Sequence, residues 1–289
     1  MLKKYENFNG GNLSTFRIGG NVKKLFIAGN IEELKEAIKI LNNEKNWYLL
    51  GGGSNILISD DGVDGIIKLN GNFSKIKDEK EFLICGSGTF GSSAIKYAEK
   101  KSLSGLEPFS GLPGTIGGWI ATNCGPKEMD ILDILESVDV MDKQTYKIQN
   151  LTKNDFKYSY RYCSLKENNV ILSAKLKLKK KKKETIVREN KKYMKYRLST
   201  QPKGSSVGCI FKNPPNKSAG KIIDSCGLKG FKVKNLKISN KHGNFIINEG
   251  GAKAKEVFEM IKIIKNNVFE KTGINLTPEV EKIGKFKYE

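Results

Sequence analysis

Leu34, Ile38 and Leu41 fall at helical spacing behind Asn30, a side chain suited to close a helix amino end, so 31–43 reads as an amphipathic helix. Short apolar runs then predict strands at 47–50, 56–58 and 66–69, separated by the turn pairs Asp61-Gly62, Asp64-Gly65 and Asn70-Gly71. A further strand is expected at 82–85, followed by Gly86-Ser87-Gly88-Thr89-Phe90-Gly91 and a helix to about Lys101. A short helix at 116–122, strands near 138–141, 145–148 and 170–178, a helix around 152–158 capped by Thr152, and a polar helix over about 184–196 complete the first two thirds. Gln201-Pro202-Lys203-Gly204-Ser205 reads as a linker. Beyond it comes a compact βαβ-like set: strand 207–211, helix 218–226, strand 244–247 and helix 252–271. No internal repeat is visible.

Between the predicted elements lie two glycine-rich segments. Ser110-Gly111-Leu112-Pro113-Gly114-Thr115-Ile116-Gly117-Gly118 packs four glycines and a proline between apolar stretches, and Gly51-Gly52-Gly53-Ser54-Asn55 follows the apolar run Trp47-Tyr48-Leu49-Leu50. Without a Cβ the backbone turns sharply and reaches a ligand, and successive bare N–H groups form an anion site. A helix starting at Thr115 or Ile116 would add its positive end. Tight turns are the plainer explanation, but a turn needs one or two glycines, not three in a row. Two such cradles suit a long, doubly charged ligand such as a dinucleotide. The run Gly86 to Gly91 formally matches G-x-G-x-x-G. It is rejected as a Rossmann fingerprint, because no second parallel strand ending in an acidic residue follows.

At 289 residues the chain is long enough for two or three lobes. The formal net charge of +20 comes almost wholly from lysine; the only arginines are Arg17, Arg161, Arg188 and Arg197. Lysine is spread evenly rather than gathered with aromatics on one face, which disfavours nucleic acid as the partner. An anionic small substrate fits the charge equally well. The run Lys179 to Lys183 reads as a solvated strand end or turn. Cys85, Cys124, Cys163, Cys209 and Cys226 are widely spaced, with no C-x-x-C pair, and His242 is the lone histidine; no metal site is expected. Reduced cysteines imply a cytoplasmic protein. The start Met1-Leu2-Lys3-Lys4-Tyr5-Glu6-Asn7 has no apolar h-region, and no apolar run approaches membrane-spanning length.

Taken together, several segments resemble the UDP-N-acetylenolpyruvoylglucosamine reductase family, flavoenzymes of peptidoglycan synthesis. They are Thr15-Phe16-Arg17-Ile18-Gly19-Gly20, both glycine loops with Asn123, Tyr160-Arg161, Gly208-Cys209-Ile210-Phe211-Lys212-Asn213-Pro214, Pro278-Glu279-Val280 and Ile283-Gly284. Their order and spacing cover almost the whole chain. The resemblance implies an α+β protein: a two-lobed FAD-binding fold of the vanillyl-alcohol-oxidase type with a third, smaller α/β lobe for the nucleotide-sugar. The expected division is 1–72 joined by 274–289, then 73–198, then 199–273. The short stretch between Arg161 and Gln201 matches the subclass that lacks an extra tyrosine loop. The resemblance further implies noncovalent FAD and NADPH as hydride donor; a monomer is the expected working unit. FAD would be held by Gly51, Gly52, Gly53, Ser54, Asn55, Ser110, Pro113, Gly114, Thr115, Gly117, Gly118 and Asn123.

In that family hydride reaches C3 of the enolpyruvyl group and leaves negative charge at C2, delocalised onto the carboxylate. Arg161 suits that charge, because its guanidinium stays cationic and can grip a carboxylate. Glu279 matches the family's carboxyl-terminal glutamate, which serves if burial keeps it protonated. Cys209 is the departure. The family pattern reads Gly-Ser-x-Phe, with serine as proton donor to C2; here cysteine holds that place. Ser206 is out of register, since each two residues of strand advance about 6–7 Å and alternate residues face opposite ways. A thiol, with an ordinary pKa of about 8.5, is a stronger acid than an alcohol. Lys212 and Asn213 are expected on the diphosphate and sugar, with Tyr158 and Gln201 as further substrate contacts. His242 matches a position near the substrate lobe and serves equally well as a structural residue. A flavin oxidase of the same fold, acting on an alcohol or sugar, is the alternative reading.

Overall fold

The computed structural model describes residues 1–126 and 129–287. Its helices are α1 (Ile31–Leu41), α2 (Gly91–Lys100), α3 (Ile116–Ala121), α4 (Leu165–Asn168), α5 (Lys183–Thr200), α6 (Ala219–Ser225) and α7 (Ala254–Thr272). Asn30 caps α1 as expected, accepting from the Glu33 N–H at 3.0 Å, and Leu34, Ala37, Ile38 and Leu41 form its buried stripe.

A first sheet orders the strands Lys3–Asn9, Asn21–Ala28, Val63–Leu69 and Trp47–Leu50. The outer strand Lys3–Asn9 is antiparallel; the other pairings are parallel. The two amino-terminal strands escape the sequence reading for different reasons. Lys3–Asn9 is an exposed edge with no apolar alternation. Asn21–Ala28 buries Val22, Leu25, Phe26 and Ala28 with Lys23 and Lys24 between the first two, which breaks the period-2 signal.

The second sheet is wholly antiparallel, in the order Ile148–Leu151, Leu135–Asp142, Asn169–Lys177, Phe82–Gly86, Ile76–Glu79. The strand before Gly86 therefore sits between antiparallel neighbours, which bears out the rejection of a Rossmann unit. Around Thr152 the expected helix is a single 3-10 turn, Lys153–Asp155, closed by Asp155 accepting from the Thr152 N–H at 2.7 Å. The strand expected at 145–148 lies at Ile148–Leu151, because Asp142 to Lys147 form the turn before it. Helix α5 runs on to Thr200, since nothing breaks it before Pro202.

The segment after 200 is not a βαβ unit. Its sheet is antiparallel, pairing Lys232–Val233 with Leu236–Ile238 and that with Ile246–Asn248. The strand expected at 207–211 does not form: the chain bends at Gly208, which has φ +80°, and at Ile210, and it makes isolated bridges from Cys209 to Phe245 and from Phe211 to Pro278, so strand alternation does not decide which way Ser206 and Cys209 face. The carboxyl-terminal strand Glu281–Ile283 returns to pair in parallel with Ile56–Ile58. One core cluster joins Phe16, Ile18 and Leu57 to Phe211, Val257, Met260 and Val280, so the third sheet and α7 are packed onto the amino-terminal part. Asp60 reinforces that seam by accepting the Ala254 and Lys255 N–H groups at the start of α7, at 2.8 and 2.9 Å.

Candidate active site

The two glycine loops face each other. A Cβ on Gly52 would stand 2.8 Å from the Cα of Gly114, so the loops interlock only because both positions lack side chains. Gly53 has φ +69°, and a Cβ there would meet the Leu13 carbonyl oxygen at 1.9 Å. Among the described residues, the backbone N–H groups of Gly52, Gly53 and Ser54 donate to no protein acceptor. Thr115 caps α3 by accepting from the Gly118 N–H at 3.4 Å, and α3 starts at Ile116, as the sequence suggests.

These loops line a cleft of about 2580 Å³. A usual small-molecule site holds about 300–1,000 Å³. The cleft therefore has room for two large ligands at once. Gly51 to Asn55, Pro113, Gly114, Thr115, Gly117 and Gly118 lie on its walls, and so do Arg161, Gln201, Cys209, Lys212, Asn213 and Glu279. Ser110 and Asn123 stand just behind the wall. The Ser110 hydroxyl hydrogen-bonds to Asn190 Oδ1 at 2.8 Å, and the Asn123 amide donates to the Ser159 carbonyl at 3.0 Å. Tyr158 is exposed outside the cleft, whereas Tyr160 lines it and accepts from the Asn213 N–H at 3.4 Å.

Arg161 stands at the tip of a two-residue turn between the paired strands Tyr158–Ser159 and Tyr162–Cys163, with φ +55°. A left-handed backbone at a long side chain is strained by roughly 1–3 kcal/mol. Tertiary contacts offset it. Nη2 donates to the Gly125 carbonyl at 2.7 Å; Nη1 donates to the Asn123 carbonyl and to Asp130 Oδ1, each at 3.2 Å. Nε lies 3.1 Å from Glu279 Oε1 as an ion pair without an aligned hydrogen bond. The guanidinium also sits over the Tyr160 ring, 4.8 Å from its centroid.

Glu279 reaches this place because its segment runs beside residues 210–212. Its N–H donates to the Ile210 carbonyl at 2.7 Å, and the Lys212 N–H donates to the Thr277 carbonyl at 2.9 Å. Asn244 clamps the same segment: its side chain accepts from the Phe211 N–H at 2.9 Å and donates to the Phe211 carbonyl at 2.8 Å. The sequence reading missed Asn244, and no local pattern marks it.

Burial raises the Glu279 carboxyl above the ordinary range, against the pull of Arg161 and Lys212. Burial also disfavours charge on Arg161, but Glu279 and other neighbours more than offset this and keep it cationic. The pair is thus unequal: the glutamate is the member that takes a proton. Burial pushes the Cys209 thiol up to about 12, reinforced by the Glu279 charge. It is therefore a protonated thiol at neutral pH, a donor rather than a nucleophile. His242 is half-buried, its ring edge against Phe245 with centroids 4.8 Å apart and its Nδ1 accepting from the Asn244 N–H at 3.2 Å. Arg197, absent from the expected site, lines the cleft and donates to the Ser110 carbonyl at 3.2 Å and to Gln201 Oε1 at 3.3 Å. Its rarity among so many lysines was the available signal.

This architecture, two α+β lobes around facing glycine loops with a smaller third lobe, is an FAD-binding fold, and a family model described as an FAD binding domain matches residues 22–151. A second model, the C-terminal domain of UDP-N-acetylenolpyruvoylglucosamine reductase, matches residues 201–283. The reductase of Caldicellulosiruptor saccharolyticus is 37% identical over 281 residues, covering 96% of this chain and 90% of the relative. That of Bacillus subtilis strain 168 is 36% identical, covering 94% of this chain and 91% of its own length. The crystal structure of the Thermus caldophilus reductase superposes with a TM-score of 0.84 at 34% identity, covering 98% of this chain and 99% of the other. The chain belongs to the UDP-N-acetylenolpyruvoylglucosamine reductase family. Its site suits FAD on its own evidence, because the unclaimed N–H groups of Gly52 to Ser54 open onto the cleft between the lobes.

Proposed function

We propose that this protein reduces UDP-N-acetylenolpyruvoylglucosamine to UDP-N-acetylmuramate with NADPH and noncovalently bound FAD, in the cytoplasm. The observation that carries this reading is the meeting of Cys209, Glu279 and Arg161 on one cleft with the two glycine loops. FAD would be held by Gly51 to Asn55 and by Pro113, Gly114, Thr115, Gly117 and Gly118, and would supply the two-electron carrier that links NADPH to the enolpyruvyl carbon. Ser110 and Asn123 support it from behind the cleft wall.

The protein's own residues divide the remaining work. Arg161 already commits three N–H donors to Asn123, Gly125 and Asp130. It therefore meets the charge developing at C2 and the carboxylate as a fixed cation rather than as a free fork. Cys209, protonated at working pH, gives its Sγ–H proton to C2 as hydride arrives at C3. The net uptake is one hydride from NADPH and one proton from solvent. Glu279 stands beside it as a carboxyl group that burial keeps ready to hold a proton. Lys212, Asn213 and Gln201 are placed to bind the diphosphate and sugar, with Tyr160 closer to that wall than Tyr158. Every group named comes from one chain, so a monomer suffices. No helix among the described residues is long and apolar enough to cross a membrane.

The test is direct. Purified protein should show flavin absorbance, bleach with NADPH in the absence of air, and regain colour on addition of the enolpyruvyl nucleotide-sugar. Flavin released into the supernatant on acid precipitation marks noncovalent attachment. Protein that binds no FAD, or reduced protein that ignores this substrate and reoxidises only with oxygen, overturns the reading.

A further inference from the structure

Among the described residues, Lys68 is a half-buried cation on the cleft wall with no ion-pair partner. Its backbone pairs with Leu50, the residue immediately before Gly51. Neighbouring lysines on the same sheet are matched: Lys23 with Asp64, Lys24 with Glu44. Lys68 differs. Among the described residues it has neither a hydrogen bond nor an ion pair through Nζ, and burial alone lowers its pKa, with no carboxylate to oppose it. The carboxylates on the cleft wall are engaged elsewhere. Asp130 and Glu279 flank Arg161, Glu281 pairs with Lys166, and Asp133 accepts the Asp130 N–H.

A lone, partly desolvated ammonium disfavours the folded state unless a ligand brings the opposite charge. The nearest feature along the chain that favours an anion is the row of unclaimed N–H groups at Gly52 to Ser54. Those groups are neutral dipoles, and a lysine on the strand paired with Leu50, lining the same cleft, adds a full charge. Of the parts of FAD, the diphosphate alone is anionic at neutral pH; the isoalloxazine, ribityl, ribose and adenine are not. We infer that Lys68 is the counter-ion of the cofactor's diphosphate and forms one site with the Gly51–Asn55 loop. The inference rests on the FAD reading above. It assigns the charge recognition to the strand Val63–Leu69, outside both glycine loops.

The test compares wild type, Lys68→Met and Lys68→Arg, freed of cofactor. Affinity is read from quenching of flavin fluorescence, with riboflavin as the phosphate-free probe, at low and raised salt; apoprotein melting is recorded alongside. Lys68→Met should weaken FAD binding about 10–100-fold, the range of a hydrogen bond to a charged group. Riboflavin affinity should not change. The salt dependence of FAD binding should flatten, since one screened charge pair is gone. The apoprotein should melt at the same temperature or higher, because an uncompensated charge has been removed. Lys68→Arg should keep most of the affinity and the salt dependence. Equal FAD binding by wild type and Lys68→Met overturns the inference, as does a loss shared equally by FAD and riboflavin. Failure of the wild type itself to bind FAD is a distinct result and overturns the cofactor reading together with this one.

Discussion

Arg161 Nε lies 3.1 Å from Glu279 Oε1, yet the pair leaves the carboxyl easier to protonate than an ordinary glutamate, because burial outweighs the arginine. The unfolded value is near 4.5 and the folded value is higher. The stabilising contribution is thus fully present below 4.5 and is lost as pH rises through the folded value. Glu279→Gln should lack this dependence. Subtracting its denaturant midpoints from those of wild type, pH by pH, should show wild type gaining on acidification through that window; a flat difference counts against a raised carboxyl. At neutral pH the same variant should retain substrate affinity and lose turnover about 10²–10⁴-fold, the usual range for a group that holds a proton at the reacting centre.

Cys209 is tested by separating the half-reactions. Cys209→Ser should retain most activity. Cys209→Ala should bleach with NADPH at the wild-type rate but regain colour on the enolpyruvyl substrate about 10²–10⁴-fold more slowly. Equal recolouring in the alanine variant removes the thiol from the mechanism. With its pKa near 12, the thiol should also resist iodoacetamide at pH 8, where an ordinary exposed cysteine reacts readily. Mass spectrometry of the folded protein reads this directly.

Gly118 separates folding from binding. A Cβ there meets nothing nearer than Thr115 Oγ1 at 3.5 Å, and the residue lines the cleft within α3. Gly118→Ala should raise apoprotein stability by about 0.5–1 kcal/mol through helix propensity while weakening FAD binding by crowding the cleft. Melting and flavin titration on the same sample check both signs. Gly53→Ala is the contrast: with φ +69° and the Leu13 oxygen in the way, it should destabilise the fold itself.

Asp60 ties the start of α7 to the amino-terminal sheet through two N–H groups. Asp60→Ala should lower stability by about 0.5–2 kcal/mol, the usual worth of such a cap. The loss should appear as a lower melting temperature with flavin affinity little changed, because the glycine loops do not depend on that contact.

How far the chain alone reached can be judged residue by residue. The strand Ile56–Ile58, the stripe of α1, the Thr115 cap and the glycine cradles were legible, because each depends on neighbours within a few positions: apolar spacing, a short polar cap, the absence of Cβ. Sequence also singled out Arg161, through the rarity of arginine among so many lysines and through resemblance of motif, and Cys209 and Glu279 through resemblance of motif. What it left open is where long-range contacts decide. The exposed strand Lys3–Asn9 exists only because Asn21–Ala28 lies beside it. The third sheet is antiparallel because Leu236–Ile238 sits between two reversed neighbours. The role of Asn244 follows from its two bonds to Phe211, far away in sequence. The state of the site belongs to that second group. Whether a carboxyl is protonated, a guanidinium is free to grip, or a lysine lacks a partner depends on desolvation and on charges gathered from distant segments, and those terms arise only when the chain has closed on itself.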